Sequence, residues 1–382
     1  MKPKVWKILG LFFIMIFAMS AVNAVHAVEV TATIPLGTIP EGIAYDSGKS
    51  EIFVATFNQD NYSSAVSVIS DSTNAVVATI PVAEGAFGVA YDSDKGEIFV
   101  ASEASVSVIS VISDSNNTVV ATVTVPGAIG VAYDSGKGEI FVTSDNAVSV
   151  ISDSSNTVVA TVTVGTGPNG IAYDSGKGEI FVTNIQSGYA SNSVSVISDS
   201  NNTVVATIPL RTYPMGVAYD SGKGEIFVAD GESNTVSVIS DSNNTVVATV
   251  PVGNLAGFVA YDPDKGVIFV TNEDDNTTSV ISDSTNAVVA TVPVGIGPTG
   301  LVYDSGKGEI FISNAGGKTV SVLSDASLPS VSPSSTTSTL PSPTVPEFSS
   351  ASLIVVVAAV VVVTLSAVAL AVKKPKKFSE KS

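Results

Sequence analysis

Beyond residue 27 the sequence has no cysteine, histidine or tryptophan: Cys is absent throughout, and the only His (His26) and Trp (Trp6) precede that point. The usual general base, the thiol nucleophile and the commonest transition-metal ligands are therefore missing. Chemistry must come from carboxylates, Tyr, Lys and the single arginine, Arg211. The densest acidic group is Glu273, Asp274 and Asp275 within "NEDDN" at Asn272–Asn276. Its oxygens could hold Ca²⁺, but the spacing is not that of an EF-hand, and a solvated acidic loop is the plainer reading. No other cofactor is implied. Side chains suited to contacting a partner are Asp60 and Tyr62, Tyr189, and Arg211 beside Tyr213 in "PLRTYPMG". This inventory favours a non-enzymatic binding protein.

These residues interrupt a repeat. "YDSGKGEIFV" occurs at Tyr133–Val142, Tyr173–Val182 and Tyr219–Val228, with altered copies from Tyr45, Tyr91, Tyr261 and Tyr303. Successive Tyr-Asp pairs lie 46, 42, 40, 46, 42 and 42 residues apart, a period of solenoids and propellers. The fifth unit reads "GVAYD-SGKG-EIFVAD…TVSVIS-DSNN-TVVATVPVG", four segments rich in Val, Ile, Phe and Thr, with Gly, Ser, Asn and Asp between them. That is four strands joined by turns. Ile226 and Val228 alternate with Phe227, so both faces of the second strand are apolar, as in a sheet stacked between neighbours. Seven such sheets around a channel make an all-β, seven-bladed β-propeller. The recurring Asp-Ser-Gly-Lys-Gly-Glu reads as a turn that every blade needs, with Gly at positive φ.

The seventh unit stops after its third strand, "TVSVLSD" at Thr319–Asp325, whereas "VEVTATIPLG" at Val28–Gly37 matches the missing fourth, "TVVATVPVG". The N-terminal strand is expected to complete the last blade, a 3+1 closure that pairs otherwise open edges. The propeller should span residues 28–325.

"IFVTN", "NTVSVISDSNNTVVATVPVG" and the Pro-x-Gly before the first strand resemble the YVTN-type β-propeller repeats of archaeal surface-layer-like proteins. The resemblance covers about residues 28–325. Phe stands where that family has Tyr, and Asp-Ser-Gly-Lys-Gly-Glu replaces its Pro-Asp-Gly turn. It implies a fold and a surface location, and leaves function open because propellers host many activities.

Flanking segments suggest export and tethering. Lys2, Lys4 and Lys7, the apolar run Ile8–Met19 and small residues up to Ala27 have the layout of a secretory signal peptide over 1–27. Residues 351–372 carry no charge and would make about 33 Å of helix, enough for a C-terminal transmembrane segment. Lys373, Lys374, Lys376 and Lys377 then mark 373–382 as a basic cytoplasmic tail. Residues 326–350 form a Ser/Thr/Pro-rich stalk. Within it "TVPEFSS" looks like the Pro-Glu-Phe signals processed by archaeosortases. That likeness makes Pro346, Glu347 and Phe348 the recognition word, implies a sorting transpeptidase as partner, and implies a lipid in place of the span. A retained single-pass anchor is the alternative. Either way the expected location is the extracellular face of the membrane.

Residues 28–350 contain 34 acidic and 9 basic side chains, leaving about 25 net negative charges. Such a surface repels nucleic acid. Between the second-strand Phe and the third-strand Asp the interval is 18, 15, 12, 18, 14, 14 and 14, while the rest of the repeat is nearly constant. The second-to-third-strand loops share a face with the loops between blades, so variation maps to one side, a mark of a binding face. Sequons at Asn61, Asn116, Asn201, Asn243 and Asn276 are candidate glycan acceptors in loops. The leading expectation is an anchored propeller that binds cell-envelope proteins or glycans in adhesion or envelope assembly. An extracellular hydrolase or lyase using carboxylates and a metal, and a passive surface coat, are the alternatives.

Overall fold

The computed structural model describes residues 28–104, 106–186, 191–210 and 212–328. The leader, most of the stalk with its Pro-Glu-Phe word, the apolar span, the tail, Tyr189 and Arg211 lie outside the described residues. Among the described residues no helix is long and apolar enough to cross a membrane.

Among the described residues, twenty-eight strands form seven antiparallel sheets of four. In the fifth blade the order from the axis outward is Pro214–Asp220, Glu225–Asp230, Thr235–Ser240 and Thr245–Pro251. The innermost strands contact one another around the ring, and the last blade's innermost strand, Pro298–Asp304, meets the first's, Ile39–Asp46. The seventh sheet consists of Pro298–Asp304, Glu309–Asn314, Thr319–Ser324 and, from the other end of the chain, Val30–Pro35. Closure by the N-terminal strand is therefore as the repeat count requires.

The second strands supply the core. Phe53, Phe99, Phe141, Phe181, Phe227, Phe269 and Phe311 are all fully buried. Each ring faces the next blade: Phe227 packs with Ile268, Val270 and Ile281, and Phe311 with Ile52, Val54 and Ile69 across the closing junction. Fully burying such a side chain contributes about 1.5–3 kcal/mol, so the seven junctions hold the ring together. Near the axis the crowding is extreme. A Cβ on Gly170 would sit 2.2 Å from the Met215 carbonyl oxygen of the next blade, so side chains are excluded there.

At the rim the outermost strands are bare on their free edges. Six of them carry a pair of exposed valines, from Val76 and Val77 to Val288 and Val289, at 37–53% exposure.

Candidate functional site: a latch face, a loop face and the channel

Antiparallel order puts the first and third turns of each blade on one face and the second-to-third-strand and interblade loops on the other. Hydrogen bonds join them accordingly: Asp114 N–H donates to Gly96 O on the first face, and Glu103 N–H to Gly85 O on the second.

The first face explains the recurring turn. Asp134 ends the third blade's innermost strand, is fully buried, and its Oδ1 accepts the Gly136 N–H at 2.8 Å. The Tyr173 hydroxyl of the next blade comes against that carboxylate, and a Cβ on Gly136 would lie 2.7 Å from it. Lys137 reaches Asp199 of the next blade, with Nζ 4.0 Å from Oδ1 and a hydrogen bond to its carbonyl. Gly138, at φ +66°, leaves room for Asp153 of its own blade, whose Oδ2 would be 2.6 Å from a Cβ there. Asp134, Gly136 and Lys137 thus serve the junction, Gly138 serves its own blade, and Ser135 faces solvent. The pattern closes on itself: Tyr45 meets Asp304, and Lys307 lies 3.9 Å from Asp71. The sequence reading of a simple turn was too narrow; the turn is an interblade latch.

Charge is concentrated in these latches. Oδ2 of all seven strand-end aspartates, Asp46 to Asp304, is buried without a hydrogen-bond donor. Burial, then the Asp134 carboxylate beside it, raises Asp199 above the usual range. Asp114 is raised by burial, with Lys49 opposing and Asp46 adding to the shift. Burial also pushes Tyr45 up to about 12, helped by Asp304.

The opposite face holds those predicted contact residues that are described. Asp60 and Tyr62 lie in the first blade's loop, where Asn58 N–H donates to Ser63 O and Oδ1 of Asn58 accepts Asp60 N–H. Tyr62 is 68% exposed at φ +59°, with its ring centroid 6.2 Å from that of Phe57. Tyr213 is half-buried and its carbonyl accepts Gly231 N–H. In the sixth blade Asp274 is exposed, and Glu273 is raised by burial and then by Asp274. The Asp275 carboxylate accepts two hydrogen bonds from Asn254, 2.8 Å from its N–H and 2.9 Å from Nδ2, which holds Asp275 below the usual range. Asp275 therefore clamps the neighbouring interblade loop. Among the described residues no group of three or more His, Cys, Asp or Glu is placed to hold a metal ion. No hydrogen bond or ion pair among the described residues joins these acids to Asp60 or Tyr62.

Of the sequons, Asn116, Asn201 and Asn243 are exposed on the latch face, each with its Thr hydroxyl donating to the Asn Oδ1 at 2.6–2.7 Å. Asn61 is exposed on the loop face and bonded likewise to Ser63. Asn276 differs, because its Oδ1 is taken by Gly297 N–H at 2.7 Å.

The channel between the faces is apolar. At its loop-face rim, four residues before each strand Tyr, stand Glu41, Phe87, Ile129, Asn169, Met215, Gly257 and Thr299. The following residue is Gly in six blades and Phe258 in the sixth. Phe258 projects its ring toward Phe87, with centroids 6.3 Å apart, over a cavity of about 130 Å³. Burial, then Glu273, lifts Glu41 to about 7. Reading only the Gly-Ile-Ala and Gly-Val-Ala cores of the first strands missed both residues. The signal was present as the exchange "AGFVAYD" against "PMGVAYD", and as a carboxylate where six blades have none.

No family model matches the chain, and no curated protein matches it. Among solved structures, the Kuenenia stuttgartiensis hydrazine synthase chain superimposes with a TM-score of 0.69 at 17% identity, covering 80% of this chain and 99% of that one. In all, 1595 chains of solved structures match, and at 17% identity the likeness identifies the propeller fold and no activity.

Proposed function

We propose that the protein is a surface-displayed, non-enzymatic propeller that binds envelope proteins or glycans through its loop face. The observation that supports this most is the contrast between faces. The latch face repeats the same Tyr-Asp-Lys geometry at junction after junction, whereas the loops and the channel rim differ from blade to blade. Conserving one face as architecture leaves the other free to recognise a partner. The carboxylates that a hydrolase or lyase would need are largely spent on turns and latches.

The third blade indicates how to test this. Its second and third strands, Glu139–Ser144 and Ala147–Ser152, are joined by the two residues Asp145 and Asn146, so a minimal hairpin is compatible with a blade. Grafting Thr143–Ala147 in place of the first and fourth loops should preserve the melting temperature and reduce cell adhesion or self-association at least tenfold. Unchanged adhesion would remove the loop face from consideration.

A passive coat is the second reading, and the valine belt favours it. Six uncharged outer edges with exposed Val pairs are open to lateral pairing with other copies. About 25 net negatives oppose contact at low salt and are screened at high salt. Sedimentation should show the full chain associating laterally as NaCl rises from 0.05 to 1 M (roughly 14 to 3 Å Debye length). A monomer at both ends would exclude the coat.

A further inference from the structure

We propose that the loop-face mouth of the channel binds a small organic cation, with its charge at Glu41 and its apolar part against Phe87 and Phe258. This rests on the loop-face reading above and names the chemistry of one site within it.

Glu41 is the only charged residue among the seven rim positions. It is half-buried, yet its carboxylate has no hydrogen-bond donor and no cationic partner among the described residues. The charged group acting on it is acidic, Glu273 of the sixth blade, which Asp274 acts on in turn. By contrast, the latch aspartates Asp71, Asp114, Asp153, Asp199 and Asp241 each have a lysine Nζ within 4.0 Å. Here that place is open, and a bound cation would fill it.

The walls select an organic cation over a metal ion. Gly42, next in sequence to Glu41, lines the cavity together with Phe87, Asn169 and Phe258. Aromatic faces attract a desolvated ammonium group and supply no oxygen ligands. The cavity, about 130 Å³, is close to the roughly 150 Å³ that accepts a benzene-sized molecule. Phe258 is the departure that creates the wall, since Gly at that position in the other blades puts nothing into the channel. An anion is disfavoured both by Glu41 and by the net charge of the ring.

The probe is tetramethylammonium chloride, titrated calorimetrically into the full chain at constant ionic strength, with tert-butanol as the neutral isostere. Saturable millimolar binding of the cation at pH 8 is expected, weaker at pH 6, where Glu41 is largely protonated. Glu41→Gln should weaken it at least tenfold without lowering the melting temperature, because the carboxylate has no partner to lose. Phe258→Gly, which restores the residue of the other six blades, should weaken it severalfold. Absence of saturable binding, equal binding of tert-butanol, or full affinity in Glu41→Gln would overturn the site. Adhesion measured on the same variants separates the two ideas: intact adhesion without cation binding removes this site and leaves the loop face standing.

Discussion

Deleting Val28–Leu36 is expected to lower the melting temperature of the full chain by more than about 10 °C. The strand it removes contributes both hydrogen bonds and core. Val30 pairs with Leu323, and Ala32 to Pro35 pair with Val322 to Thr319. Thr31 Oγ1 donates to Val322 O at 3.1 Å, and Leu36 N–H to Lys318 O at 3.0 Å. Ile34, only 3% exposed, packs against Val320, Val322 and Phe311 and, across the junction, Ile52 and Ile69. Val28 sits with Leu323 and Leu328 on the other side. Ile34→Ala alone should cost about 2–5 kcal/mol.

Two controls separate closure from a generic loss of residues. Shortening the Ser/Thr/Pro-rich segment 330–345 should leave the melting temperature within about 2 °C, as expected of a solvated spacer. A synthetic peptide "VEVTATIPLG" added in trans should restore part of the lost stability, because its docking edge, Thr319–Ser324, remains in the deleted chain. Equal melting of both truncations would contradict the view that the ring depends on the N-terminal strand.

The fold was readable because the repeat is redundant. Seven copies of a four-segment unit fix strand number, the two apolar faces of the Phe-bearing strand fix stacking, and the missing fourth strand fixes closure. Interblade geometry was harder to read. Nothing local in "YDSGKG" says that its first Gly makes room for a tyrosine some forty residues further on, or that its Lys reaches an aspartate some sixty residues away. Such partners meet only when one sheet is laid on the next. The loop residues illustrate the opposite error. Asp275 looked like a ligand by composition, yet the interblade loop turns Asn254 toward it and uses its charge. Glu41 was overlooked because it sits in a strand entry that looked merely apolar.

The latches predict an unusual pH dependence: the ring should melt at a higher temperature at pH 5 than at pH 8. Burial raises Glu51, Glu97, Glu139, Glu179, Glu225 and Glu309, with the latch lysines partly offsetting it. Burial likewise raises the third-strand aspartates Asp71, Asp114, Asp199, Asp283 and Asp325, and lifts Asp262 to about 6. A carboxyl whose folded pKa exceeds its unfolded value, about 4, binds more protons in the folded state. Its contribution is full below that unfolded value and is lost as pH rises through the folded one, here up to about 6 for Asp262 and about 7 for Glu41. Relief of the ring's net negative charge acts in the same direction. Exposed Asp275, lowered by Asn254, opposes it as a single group. Asp46→Asn tests the cause. The Asn Oδ1 can still accept from Gly48 and Lys49, which now donate to Asp46 Oδ1 at 2.8 and 3.1 Å. Its Nδ2 would replace the donorless Oδ2 and could donate toward Asp114, removing the like charge that now adds to the raising of Asp114. The variant should gain about 1 kcal/mol at pH 8 and little at pH 5. Asp134→Asn should add a similar increment, since the two junctions are far apart in the ring. A wild-type melting temperature that falls between pH 8 and pH 5, or a destabilised Asp46→Asn at pH 8, would show that the latches hold fully ionised carboxylates and that their burial is compensated by the lysines alone.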